Sequence, residues 1–192
     1  RYTMAGRQNV PMVWLLGGPG VGKSTHLEEI ASKYGIVAIT SGELLRKEIA
    51  RRTSRGRNIS YVLQNSELVP TWIVLDLLKE ELELHPGARG FIFEGYPRDK
   101  EQGELFEQQV GPVSAILLLD APDEILKQRS LVKAVGAGFV NEDTINKRIQ
   151  NFHISLDSIQ SGYQSRVKKI NTLPPPSEVA REIEYHLDLL FY

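Results

Sequence analysis

The sequence predicts an α/β fold, a five-stranded parallel sheet with helices on both faces. Three observations predict it. Short apolar runs alternate with amphipathic stretches along the chain, as they do when buried strands are joined by covering helices. The first apolar run passes into a glycine-rich loop and then into a helical pattern. Finally, the 192 residues are 41% hydrophobic and 24% charged, which suits one soluble domain spanning residues 1–192 with a substantial core.

The first strand is expected over Met12–Leu16, and Ser24–Tyr34 follows as a helix that Gly35 can terminate. Ile36–Ile39 is the second strand. Gly42–Arg52 is the next helix, with Thr40 and Glu43 spaced as a capping box. Pro70–Leu84 carries Ile73, Val74, Leu77, Leu78 and Leu82 on one helical stripe. Phe91–Glu94 and Ala115–Asp120 are the third and fourth strands. Asn141 can cap a long helix striped by Ile145, Ile149, Phe152, Leu156, Ile159 and Tyr163. Val167–Asn171 is the fifth strand. After Pro174–Pro176, Ser177 is expected to cap a last helix that turns Val179, Ile183 and Leu187 inward. Parallel sheets bind ligands outside the carboxyl ends of their strands, so the residues just after each strand are the ones to search for chemistry.

Composition removes several function classes. A formal net charge of -1 argues against nucleic-acid or membrane-surface binding, which needs a basic excess. There is no cysteine, hence no disulfide framework or thiolate metal site, and a cytoplasmic location is expected. Pro11–Leu16, the longest apolar run near the start, is too short to span a bilayer. The chain begins at Arg1 rather than Met, which raises the expectation of a domain cut from a longer protein. His26, His85, His153 and His186 lack ligand spacing and are expected at surface or half-buried positions. Trp14 and Trp72 are expected to be packing residues.

After the first strand, Gly17–Thr25 reads GGPGVGKST, a match to G-x-x-x-x-G-K-[ST] between a strand and a helix. Glycines let backbone N–H groups converge on phosphate oxygens. The helix dipole and Lys23 add positive charge there. Gly18, Gly20, Val21, Gly22, Lys23, Ser24 and Thr25 therefore form a nucleoside triphosphate site. Glu94 ends a hydrophobic strand beside this loop and reads as the carboxylate that orients Mg2+, through water. Asp120 is a weaker metal candidate, because a helix-capping role accounts for it.

Two further segments follow strands and open toward the same sheet edge: TSGELLRKEI at Thr40–Ile49 and FEGYPRDKEQG at Phe93–Gly103. With them, from about Val13 to Leu187, the chain resembles a nucleoside monophosphate kinase, most closely an adenylate kinase of the short-lid type. The resemblance implies a P-loop kinase fold with a helical NMP-binding segment at about 41–72 and a lid at about 134–144. It implies in-line transfer from ATP to AMP, giving two ADP, with Mg2+ on the phosphates. It assigns Ser41, Arg46, Glu67, Leu68 and Val69 to the AMP site. Gly95, Tyr96, Pro97, Arg98 and Gln102 join them, with Gln102 reading the adenine edge. Arg129 is assigned to the donor adenine, Lys133 to the ATP phosphates, and Arg148 to the transferring phosphoryl group. Lys23, Arg98, Arg129 and Arg148 are thus the expected catalytic set. No general base is needed, since the acceptor phosphate oxygen is already ionised.

The likeness has departures. Glu94 stands where aspartate is usual, Lys133 and Phe139 where arginines are usual, and Pro174 where a glycine is usual. Leu131–Arg148 reads as a hinged loop with Gly136 and Gly138, and it is poor in the guanidinium forks that match phosphate geometry. Two alternatives follow. One is a UMP/CMP kinase, against which Ser41 and PRDKEQG count. The other is a catalytically weak nucleotide-binding domain of a larger protein. Small nucleotides (ATP, AMP, ADP) are the expected partners, with no nucleic acid, no membrane and a monomeric domain.

Overall fold

The computed structural model describes residues 10–138 and 141–192. Five parallel strands form one sheet: β1 (Met12–Gly17), β2 (Val37–Thr40), β3 (Phe91–Glu94), β4 (Ala115–Asp120) and β5 (Val167–Asn171). Their order is β2-β3-β1-β4-β5. β1 is central, with Leu15 opposite Glu94 of β3 and Leu117 of β4. Because alternate residues point to opposite faces, β1 feeds two cores. Val13 and Leu15 pack with Ile92, Leu117, Leu119 and Ile170 on one face. Met12 and Trp14 pack with Phe91, Phe93 and Ile116 on the other.

Helices cover both faces. They are α1 (Lys23–Tyr34), α2 (Ser41–Ala50), α3 (Ser54–Gln64), α4 (Thr71–Glu83), α5 (Lys100–Gln109), α6 (Asp123–Gly136), α7 (Glu142–Tyr163) and α8 (Pro176–Phe191). From α1, Leu27, Ile30 and Tyr34 join the first core, as do Val179, Ile183 and Leu187 of α8. From α4, Ile73, Leu75, Leu77, Leu78 and Leu82 join the second, with Phe106 of α5. α7 serves both, giving Ile145 and Ile149 to the first and Ile159 and Tyr163 to the second. Trp14 is enclosed by edge-on contacts to Phe106 and Tyr163, with ring centroids at 5.4 and 5.1 Å.

All five expected strands are present within a residue or two, and the Thr40 cap forms, its Oγ1 accepting from the Glu43 N–H at 3.3 Å. Asn141 caps α7, accepting from the Thr144 N–H at 3.1 Å. Other expectations need correction. Ser177 is not a cap: α8 begins at Pro176, whose missing N–H suits the first helical turn. Asp120 does not cap α6: its carboxylate faces Lys169 at 3.6 Å, and the helix starts after Pro122. Helix α5 was not anticipated, while α3 falls inside the segment expected to be helical at about 41–72, without bounds of its own. The segment Leu131–Arg148 is mostly not a loop, since α6 runs through Gly136 and α7 begins at Glu142. Trp72 is 63% exposed rather than packed, and His26 is 7% exposed rather than at a surface or half-buried position. Phe139, expected at a lost arginine's place, lies outside the described residues.

Candidate active site

The carboxyl end of β1 delivers the chain into the glycine-rich loop, and α1 starts directly behind it. Gly22 is the N-cap at φ 100°, a left-handed conformation that a side chain would strain. That turn aims the first N–H groups of α1 back at the loop. Gly18, Gly20, Val21, Gly22, Lys23, Ser24 and Thr25 line a cavity of about 780 Å³ together with Arg129, Lys133 and Arg148. Ser24 and Thr25 are exposed, so their hydroxyls are available to a ligand.

Lys23 lies folded across the loop. Its Nζ donates to the Gly17 carbonyl at 2.5 Å and the Gly18 carbonyl at 3.2 Å. Burial pushes its pKa down, the Glu94 carboxylate opposes that shift, and Arg98 and Lys133 add to it. An ammonium held this way gains from any anion that replaces the two carbonyls.

A second cavity of about 320 Å³ opens beside the first, lined by Gly17, Lys23, Glu94, Gly95, Pro97, Arg98 and Arg148, with Phe152 and Leu156 of α7 as an apolar wall. Lys23 and Arg148 line both cavities. Arg98 is exposed. Its Nε donates to the Gly95 carbonyl at 3.1 Å, and neither Nη has a partner among the described residues. The fork therefore stays open for a dianion. Arg148 and Arg46 are likewise exposed and carry no ion pair among the described residues.

The loop after β3 is braced from within. The Tyr96–Pro97 peptide bond is cis and Gly95 has φ 87°. A Cβ on Gly95 would meet the Ser41 Oγ at 2.2 Å, so only glycine lets this loop rest on α2. The Tyr96 hydroxyl donates to the Gln102 carbonyl at 2.9 Å. The Gln102 side chain accepts from the Arg98 N–H at 2.8 Å and donates to the Thr71 Oγ1 at 3.2 Å. Gln102, expected to read a base, thus also ties the Arg98 backbone to the first turn of α4.

Not every expected residue converges on these cavities. Ser41, Arg46, Glu67, Leu68, Val69, Tyr96 and Gln102 line neither of them. Leu68 is 92% exposed, and Val69 packs against the second core. Arg129 differs from Arg98, Arg148 and Arg46, as both of its Nη groups donate to Thr172. Thr172 was not singled out beforehand; an N-T pair after a short strand carries no motif.

Among the described residues no three His, Asp or Glu side chains are grouped to hold a metal ion. The site therefore does not fit a caged ion. Glu94 on the second cavity and the exposed Ser24 hydroxyl are oxygen donors beside the loop that would suit an ion brought in with a phosphate ligand.

Comparison with known proteins supplies the rest. A family model described as Adenylate kinase matches residues 15–168. Adenylate kinase isoenzyme 1 of Homo sapiens is 35% identical over 184 residues, which is 93% of this chain and 95% of that protein. The Cyprinus carpio protein of the same name is 36% identical over 177 residues, 90% of this chain and 91% of its own length. That of Caenorhabditis elegans is 36% identical over 165 residues, 84% and 79% of the two lengths.

Proposed function

The chain belongs to the adenylate kinase family and is a nucleoside monophosphate kinase, and on that footing we propose that it passes the γ-phosphoryl group of ATP to AMP, releasing two ADP. The observation that carries this reading is the sharing of Lys23 and Arg148 by the two cavities. Two phosphate chains lying in the two cavities would meet at those two charges. In-line transfer asks little more of a protein than that alignment and the neutralisation of charge along it.

The roles follow from what each group has free. Backbone N–H groups of the Gly17–Thr25 loop and the start of α1 hold the β- and γ-phosphates. Lys23 leaves its two carbonyls for those oxygens. Arg98 grips the acceptor phosphate with its open fork, and Arg148 neutralises charge on the moving group. Arg46 and Ser41 of α2 would complete the AMP site when the segment at about 41–72 closes, and Glu67–Val69 lie along the same segment. Lys133 at the end of α6, with the short lid that follows it, closes over ATP. Mg2+ would supply charge compensation on the phosphates, oriented from Glu94. A closed cleft excludes water, which favours transfer over hydrolysis.

No described helix is long and apolar enough to cross a membrane. A monomeric, cytoplasmic enzyme working on free nucleotides is the reading we adopt.

The deciding experiment is a coupled assay of ADP formation with ATP and each of AMP, dAMP, CMP and UMP. A preference for AMP of at least tenfold in kcat/KM is expected. Preference for CMP or UMP would replace AMP by a pyrimidine acceptor. Tight ATP binding with no transfer to any acceptor would leave a nucleotide-binding domain in place of an active kinase.

A further inference from the structure

We propose that Thr172 is a positioning residue for selection of the donor nucleoside, acting by immobilising Arg129. This rests on reading the larger cavity as the ATP site.

Thr172 follows β5 by one residue and is 4% exposed. Its N–H and its Oγ1–H both donate to the Asp120 carbonyl, at 2.9 and 2.8 Å. That carbonyl closes β4, whose Asp120 pairs with Asn171 in the sheet register. Thr172 is therefore as fixed as the sheet itself. With its proton committed to Asp120, the hydroxyl oxygen can only accept, and it accepts from Arg129 Nη1 at 3.2 Å. Arg129 Nη2 donates to the Thr172 carbonyl at 3.0 Å. One residue thus clamps both tips of the guanidinium.

The consequence is a division of labour among the arginines. Arg98, Arg148 and Arg46 keep both Nη groups free of protein partners among the described residues, as phosphate ligands should. Arg129 has spent one bond from each tip on Thr172. What it offers the cavity is a held, flat, cationic face, and such a face suits an aromatic base better than a phosphate. Thr172 does not line the cavity, so its effect must pass through Arg129. A flexible arginine would have to be ordered when the base arrives, at a cost of about 0.5–1.5 kcal/mol, which is roughly two- to tenfold in affinity.

The test compares Thr172→Val, which keeps the shape and removes the hydroxyl, with Thr172→Ser, which keeps it. Dissociation constants are measured for ATP and for inorganic tripolyphosphate, which has no base, together with kcat and the KM for AMP. For Thr172→Val the ATP constant should rise about two- to tenfold. Tripolyphosphate binding, kcat and the KM for AMP should change less than twofold, and Thr172→Ser should match the wild type. The proposal is overturned if ATP binding is unchanged, if ATP and tripolyphosphate weaken equally, or if the serine variant behaves as the valine one does. A fall in kcat at constant ATP affinity would also overturn it, since Arg129 would then be acting on the phosphoryl group. Thr172→Ala, with the same expectations, takes the place of a valine variant that does not fold. If the wild type binds ATP but transfers nothing, the kinase reading fails, and the two binding constants still decide the role of Thr172.

Discussion

Lys23 spans its own loop to place its ammonium 2.5 Å from the Gly17 carbonyl oxygen. The side chain is half-buried, and that burial lowers its pKa, so the folded chain alone holds this charge at a cost that a bound phosphate would relieve. Lys23→Met should reduce turnover by at least about 10²-fold, the scale for removing one positioned donor to a developing anion. The melting temperature should stay level or rise slightly, because a chain of similar length replaces a desolvated charge. An ADP-forming assay beside a thermal melt checks both, and a well-folded variant with near-normal turnover would remove Lys23 from the mechanism.

Arg98 and Gln102 should separate in their effects. Arg98→Ala removes an open fork, and kcat/KM should fall about 10- to 100-fold, the equivalent of one charged hydrogen-bonding group. The fall should be similar for AMP, CMP and UMP, because in the proposed role the fork grips phosphate and not base. Gln102→Ala should instead change the ratio among those acceptors. It should also bring some loss for all of them, because the same side chain holds the Arg98 N–H at 2.8 Å. An unchanged ratio would mean that Gln102 braces the loop and reads nothing.

The inner strands β1, β3 and β4 were legible because they are buried on both faces and so read as apolar runs, whereas the edge strand β5 keeps only Ile170 fully buried, beside exposed lysines. The phosphate loop was legible because glycine spacing and a lysine have few other uses there. Helix α3 was expected only through the family resemblance, since RRTSRGRNISY has no sustained apolar stripe and only Gly56 and Ile59 are buried. Its place is set by tertiary contacts: a Cβ on Gly56 would meet the Glu48 carbonyl oxygen at 2.2 Å. Trp72 misled because a large aromatic residue suggests core, while the first turn of α4 leaves it exposed. Thr172 was invisible for a different reason. Its role depends on a carbonyl 52 residues away, and no local pattern encodes that.

Glu48 makes the segment joining α2, α3 and α4 sensitive to acid. It is buried and accepts from the Thr53 hydroxyl at 2.7 Å and from Arg55 Nε at 3.2 Å, while Arg55 also pairs with Glu80. The hydrogen bond from Arg55, followed by that from Thr53, lowers the Glu48 pKa. A carboxylate with a depressed folded-state pKa stabilises fully above its unfolded value of about 4.3, and that stability is lost as pH falls through the folded value. Glu48→Gln should therefore cost roughly 2 kcal/mol at pH 7 and progressively less as pH falls below about 4. Denaturant unfolding at pH 7 and pH 3.5 measures it, and an equal cost at both would show that packing, not charge, is at stake.

The last prediction concerns the end of α6. Lys133 is exposed in the final turn of that helix and lines the larger cavity with Arg129 and Arg148. It has no ion pair among the described residues, and its charge contributes to lowering the Lys23 pKa. It therefore shares the cavity of the Gly17–Thr25 loop, but it offers a point charge where a fork would meet two oxygens of a phosphate. Lys133→Arg should raise turnover by about tenfold, roughly 1.4 kcal/mol of barrier, with a smaller change in the KM for ATP. Charge that develops during transfer is what a second, directional donor would meet. Phe139→Arg, argued from the sequence alone, should act in the same direction. Single-turnover measurements on each variant and on the pair distinguish the outcomes. Gains in the chemical step would mean that this kinase is attenuated by its lid. Unchanged chemistry in an enzyme that is already fast would mean that Arg148 and Lys23, shared by the two cavities, suffice.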